Sequence, residues 1–337
     1  MLKVTTVLVL ALMVTVSLAM AQEKVPVMGN WQGEFTSADW KDRTLRAQIV
    51  ADSWVLYRAI LYVGAKGVEE QRVQVRGKTD EKSKEGRTDF SGRVDLGEKL
   101  GGIYMVTGEA ANGVFKGVFK KQDQEIGFEM KRVLLKSPTL GMKPPEGAVV
   151  LMDGTEKTFH DEWIIQPRWI LDKEGSAQIS GSSILTKKEF GDAQYHVEFC
   201  TPFMPESRDQ ARGNSGVYVH GRYEVQVLDS FADEPQDNLC GGIYKIAKPL
   251  ENACLPPLEW QTYDITFHPP RFDASGKKIK DAEITVKQNG TVIHDKLVMK
   301  TTTPGGVSEK ETPKGQFLLQ DHGDRVRYRN VWIKPLD

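Results

Sequence analysis

Residues 214–230, NSGVYVHGRYEVQVLDS, alternate apolar and polar side chains. Val217, Val219, Gly221, Tyr223, Val225 and Val227 share one parity; Tyr218, His220, Arg222, Glu224, Gln226 and Leu228 share the other. Successive residues of a strand point to opposite faces, so one face here is apolar and the other polar. The same period-two pattern recurs in TLRAQIVAD, WVLYRAILYVG, QRVQVRGKTD, RTDFSGRVDL and IGFEMKRVLL, and again in AQYHVEFCTPF, WQTYDITFHPPRFD, GQFLLQDHG and VRYRNVWIKPL. Short alternating runs divided by Gly, Asp and Asn predict strands. Asn-Gly in AANGVF and in KQNGTVI predicts tight hairpins, because that pair accepts positive φ. Helix signals are nearly absent, and the expected fold class is all-β.

Periodicity stops across the Pro- and Gly-rich segment KSPTLGMKPPEG, which reads as a linker over 136–147. Before it, residues 22–135 predict a small antiparallel β sandwich or barrel of unknown role. After it, residues 148–337 carry enough short strands for a two-sheet sandwich of jelly-roll type. Lys3, the apolar run Val4 to Leu18 and the small-x-small site Ala19-Met20-Ala21 predict a signal peptide over 1–21. A secreted or periplasmic protein is expected, with no membrane association beyond export.

Charge narrows the partners. With 45 basic and 46 acidic residues the chain lacks the basic excess that nucleic acid requires. Export permits disulfides. Of Cys200, Cys240 and Cys254, the last two bracket a Gly- and Pro-rich loop and are expected to pair, leaving Cys200 as a buried thiol. Trp31, Trp40 and Trp54 are either core packing or a sugar-stacking face.

The polar face of the opening stretch suggests a site. Arg222, Glu224 and Gln226, at i, i+2 and i+4, would project to one side together with Tyr218 and His220, with Asn214 and Asp229 at the ends. Carboxylate, guanidinium and amide groups suit a polyhydroxylated ligand. GQFLLQDHG adds Gln320 and His322 at a strand end. The loop after Gly241-Gly242 adds Lys245, and Trp260 could complete a rim. An oxygen-rich set of Glu224, Asp229 and His322 could hold Ca²⁺ or another divalent cation. No H-x-H, HExxH, zinc-spaced Cys pair, nucleotide loop or G-x-S-x-G elbow occurs.

Several long motifs in order, VVLMDGTEKTFHDEW, NSGVYVHGRYEVQVLDS, CGGIYKIAKP, NACLPPLEWQTYDITFHPPRFD and LLQDHGDRVRYRNVWIKPL, resemble the 3-keto-disaccharide hydrolase family, formerly a domain of unknown function. The resemblance covers about 148–337 and implies a concanavalin A-like jelly roll. It implies cleavage of 3-keto-glycosides, sugars oxidised beforehand by a separate sugar 3-dehydrogenase. A keto group at C3 acidifies the C2 proton; a base removes it, and the glycosidic oxygen leaves from C1. Glu224 or His322 would serve as base, the other as acid or ligand. Arg222 or Lys245 would stabilise the enolate, with or without a divalent cation. Tyr218, His220, Gln226, Asp229, Gln320, Asn214 and Trp260 would hold the sugar. Two other readings stay open: a conventional glycoside hydrolase using Glu224 and Asp229, and a non-catalytic sugar-binding module.

Overall fold

The computed structural model describes residues 27–80, 86–164, 169–178 and 181–336. The expected signal peptide lies outside them. Two compact units divide the chain between Leu135 and Lys136.

The first unit is a closed antiparallel barrel of eight strands in sequence order. They are β1 (Gly29–Phe35), β2 (Arg43–Ala51), β3 (Leu56–Ala65), β4 (Val68–Thr79), β5 (Thr88–Asp95), β6 (Ile103–Ala111), β7 (Val114–Lys121) and β8 (Gln124–Val133). Pairing of β8 back onto β1 closes it and removes both sheet edges. Asn112 and Gly113 both take positive φ in the β6–β7 turn, as the Asn-Gly pair requires. The barrel core is aromatic: Trp31, Phe35, Phe115, Phe119 and Phe128 from the strands and Trp40 from the turn after β1 are buried and meet edge to face. Two of the three tryptophans considered for a sugar-stacking face are therefore core, and Trp54 stays exposed.

The second unit is a two-sheet sandwich. Its smaller sheet has the order β10-β13-β22-β15-β16, and its larger sheet β11-β12-β23-β14-β17-β20-β21, with β9 also paired to β23. The smaller sheet comprises β10 (Trp163–Ile164), β13 (Ile184–Phe190), β15 (Ser215–Val219), β16 (Tyr223–Val227) and β22 (Gly315–Leu319). The larger comprises β9 (Val149–Met152), β11 (Ile170–Leu171), β12 (Ala177–Gln178), β14 (Ala193–Cys200), β17 (Gln261–His268), β20 (Ala282–Gln288), β21 (Thr291–Met299) and β23 (Arg327–Pro335). A short pair, β18 (Arg271–Phe272) and β19 (Lys278–Lys280), stands apart. Among the described residues of this unit one α-helix, α1 (Glu156–Glu162), interrupts the strands; the Thr155 side chain caps it by accepting from the Thr158 amide. The apolar parity of the opening stretch forms the core: Val217, Val219, Tyr223, Val225 and Val227 pack with Tyr195, Val197, Phe199, Tyr263, Ile265 and Phe267 of the facing sheet.

The segment expected to be a linker is part of this sandwich. Ser137 and Thr139 hydroxyls lie 2.6 and 3.0 Å from that of Thr262. Thr139 donates to Asp264 at 2.6 Å, and the Gly141 amide donates to Glu198 at 2.5 Å. Asn330 donates to the Met142 carbonyl and to Glu198. These partners lie on the outer parity of β14, β17 and β23, where a charged row of His196, Glu198, Asp264 and Arg329 would otherwise face water. His196 stacks on Trp332 and sits 2.6 Å from Asp264. These contacts give it a structural place in the sheet.

Candidate functional site

The β15–β16 hairpin builds the site. Registers Gly216↔Gln226 and Tyr218↔Glu224 set these four residues side by side on the face away from the core. β22 adds its own end, where the Gln320 amide donates to the Gly216 carbonyl at 2.9 Å. Gly216 is required sterically: a Cβ there would stand 2.4 Å from a Glu224 oxygen and 2.8 Å from the Tyr218 ring. β16 is an edge strand, yet its outer hydrogen bonds are made. The Gln226 amide donates to the Gly242 carbonyl, Tyr244 and Gly241 amides donate to the carbonyls of Glu224 and Gln226, and the Glu224 amide donates to the Thr303 hydroxyl. Two loops thus wall the strand and protect it from pairing with another chain.

Between them lies a cavity of about 200 Å³ lined by Gln210, Asn214, Tyr218, Glu224, Gln226, Tyr244, Pro304, Gly305, Gln320 and His322. At ~30 Å³ per water it holds roughly six waters, the scale of one sugar ring. Six of the side chains expected at the site meet here: Asn214, Tyr218, Glu224, Gln226, Gln320 and His322.

Glu224 is the chemical centre. It is 3% exposed, and the Tyr218 hydroxyl donates to its Oε2 at 2.7 Å. Burial lifts its carboxyl to about 7, against the opposing pull of the Tyr218 hydrogen bond. Burial together with the Glu224 charge raises the Tyr218 phenol, which stays protonated. Gln320 Nε2 donates to the same phenol oxygen at 3.2 Å. His322 lies exposed at the rim.

Several expected residues lie elsewhere. Positive φ at His220 and Gly221 ends the alternation in a turn, so Arg222 is not on the strand. Its guanidinium donates to the carbonyls of Lys310 and His220, beside a separate groove. His220 is buried against Phe267, with Nε2 3.1 Å from the Gly191 carbonyl; burial pulls its pKa down to about 4. Lys245 is exposed, with Nζ 5.5 Å from the Tyr244 ring centroid, and does not line the cavity. Asp229 follows the end of β16, five residues after Glu224 and on the other parity, and pairs with Arg212 at 2.7 Å. The Glu224, Asp229, His322 set is consequently not assembled, and among the described residues no group of three metal-ligating His, Cys, Asp or Glu occurs. Trp260 lies under Arg329, 4.0 Å from its ring centroid, away from the cavity.

The Cys240–Cys254 bridge is also corrected: both are buried free thiols, as is Cys200. Cys240 Sγ accepts from Gln288 and lies 3.2 Å from the Tyr263 hydroxyl. Contact with Cys240, then burial, holds the Cys254 thiol well above its ordinary value. Hydrogen bonds fasten the loop instead: Asn252 donates to the carbonyls of Ser230 and Asp233, and His294 Nε2 lies 2.7 Å from the Gly241 carbonyl.

Gln210, Pro304 and Gly305 were not anticipated. Gln210 lies in a single 3₁₀ turn, Asp209–Ala211, and Pro304 and Gly305 lie in a loop, where no strand periodicity marks them. Gly305 has φ +79°, and a Cβ there would meet the Tyr218 hydroxyl at 2.8 Å.

The sequence profile of the 3-keto-alpha-glucoside-1,2-lyase-like domain matches residues 147–334. Among solved structures, a Parabacteroides distasonis protein named as a candidate glycosyl hydrolase is 34% identical, with 57% of this chain and 85% of that chain covered and a TM-score of 0.51. A second from the same organism is 22% identical, covering 55% and 98%, with a TM-score of 0.40. No curated protein sequence matches the chain. The barrel lies outside the family match.

Proposed function

Because the chain belongs to the 3-keto-α-glucoside-1,2-lyase-like family, we propose that it acts on glycosidic bonds, and specifically that it cleaves 3-keto-glycosides by elimination. The observation that carries this is Glu224, a buried carboxylate poised near neutrality on a cavity of one-ring size. An efficient general base has a pKa near working pH. Glu224 takes the proton from C2, and the C–H electrons form an enolate with the C3 carbonyl. The enolate collapses, C3=O returns, a C1=C2 double bond forms and the C1–O bond breaks. His322, at the rim, protonates the departing alcohol. Water then adds across C1=C2.

Tyr218 links the first two events. While Glu224 is ionised, the phenol donates to it. Once Glu224 holds the C2 proton, that phenol proton is free for the enolate oxygen. With Arg222 and Lys245 away from the cavity, the role falls to the hydroxyl donors that line it, Tyr218 and Tyr244. A two-carboxylate hydrolysis is disfavoured, since Glu224 is the one carboxylate among the described residues lining the cavity.

The test is to incubate the protein with an aryl 3-keto-glucoside and with its unoxidised parent. Aglycone release from the keto form alone is expected, reduced about 100-fold or more by Glu224→Gln. Release from the parent at a similar rate would refute the elimination reading.

A further inference from the structure

Three buried amide oxygens on the cavity residues have no hydrogen-bond partner among the described residues: Asn214 Oδ1, Gln226 Oε1 and Gln320 Oε1. Asn214 and Gln226 are 1% and 2% exposed. Buried acceptors left unmade are costly and uncommon. Three on one small cavity point to a ligand that supplies donors.

Their orientation follows from the network behind them. Gln210 Nε2 donates to the Asn238 carbonyl at 2.6 Å, and a carbonyl can only accept. That fixes the Gln210 amide, whose Oε1 then accepts from Gln226 Nε2 at 3.0 Å. Gln226 must therefore leave its own oxygen free. Asn214 Nδ2 donates to the Gln210 backbone carbonyl at 2.7 Å, with the same consequence for its Oδ1. Gln320 uses one amino N–H on the Tyr218 phenol, whose own proton is committed to Glu224, so the Gln320 oxygen also lacks a donor.

We infer that the Asn214, Gln226 and Gln320 oxygens form an acceptor wall, set on its Asn214 and Gln226 side by Gln210 as a positioning residue, that selects a sugar ring by hydroxyl groups acting as hydrogen-bond donors. The inference rests on the reading of this cavity as the substrate site. It names what the wall recognises: neutral donors, and therefore free hydroxyls rather than ether, fluoro or ester substituents. With one carboxylate in the cavity, a bound cation is the weaker match to the same oxygens.

Fluorine replaces a hydroxyl in size and can only accept; hydrogen does neither. The turnover or inhibition of a 3-keto-glucoside is therefore compared with analogues carrying deoxy or deoxyfluoro replacement at each remaining ring hydroxyl in turn. At the positions facing the wall, deoxy and deoxyfluoro forms are both expected to lose about tenfold or more in kcat/KM. Gln210→Met, which keeps length and removes both polar ends, leaves Gln226 with only the Asn238 carbonyl at 3.4 Å. It is expected to narrow the hydroxyl-over-fluorine preference and to raise KM more than it lowers kcat. Full retention by the fluoro analogues where deoxy analogues lose would show donating walls and overturn the proposal. An unchanged preference in Gln210→Met would remove Gln210 from the positioning role. Stabilisation by Ca²⁺ with indifference to every hydroxyl would replace the sugar with a cation. If no 3-keto sugar is bound or turned over, the site reading fails and this inference with it; in every other outcome the site reading stands by itself.

Discussion

Glu224 carries a cost that reveals its role. Its folded-state carboxyl, at about 7, lies above the usual 4.5, so the folded chain holds a proton that the unfolded chain has released between these values. Stability is therefore fully present below about pH 4.5 and is lost as pH rises through 7, by about 3 kcal/mol in all. Glu224→Gln is expected to abolish that loss, so denaturant titrations at pH 8 should find it more stable than the native protein, and titrations at pH 4 about equal. A native-like decline in the variant would mean that another group titrates. Gly216→Ala tests the geometry: the new methyl would drive the carboxylate off its Tyr218 partner, with about 1–3 kcal/mol of overpacking and a loss of turnover close to that of Glu224→Gln. Normal activity in a folded Gly216→Ala variant would mean that this carboxylate position is irrelevant. At this scale the alternation along 215–227 marked Tyr218, Glu224 and Gln226. It failed at His220 and Arg222, because two successive positive-φ residues turn the chain and alternation beyond a strand end has no structural meaning.

Among the elements, the strap over residues 137–142 departs most from its sequence. Proline and glycine stop the periodicity there, which resembles a linker, and no local pattern reveals that side chains of another sheet satisfy its backbone. Glu198 is its main anchor. Burial would raise that carboxyl, but His196, Asn330, the Gly141 amide and Arg329 hold it down at about 2. Its contribution is present above about pH 4.5 and is lost as pH falls toward 2. Glu198→Ala, which leaves Arg329 and the Gly141 amide without this acceptor, should cost about 3 kcal/mol at pH 7, read by chemical denaturation, and should speed hydrogen exchange at the Gly141 amide. Unchanged exchange would show that the strap is held without Glu198, by its contacts to Thr262, Asp264 and Asn330. Strands, by contrast, were legible almost throughout, since each has one face in a core and period two survives. The edge of β16 was not: its partners, the Gly242 carbonyl and the Thr303 hydroxyl, come from loops far away in sequence.

For the whole molecule, the barrel and the sandwich each close a core of their own. A chain begun at Lys136 should therefore fold and keep the cavity, whereas one begun at Ala148 lacks the strap and should melt several degrees lower. Equal melting of the two would deny the strap a part in the sandwich. The central claim concerns bonds rather than folds. A 3-keto-glucoside deuterated at C2 tests it most directly, with turnover followed by mass spectrometry and by rate. Elimination started by Glu224 predicts slower turnover of the deuterated substrate and release of the label to water, both absent in Glu224→Gln. Product that keeps its C2 deuterium, formed at an undiminished rate, would contradict it.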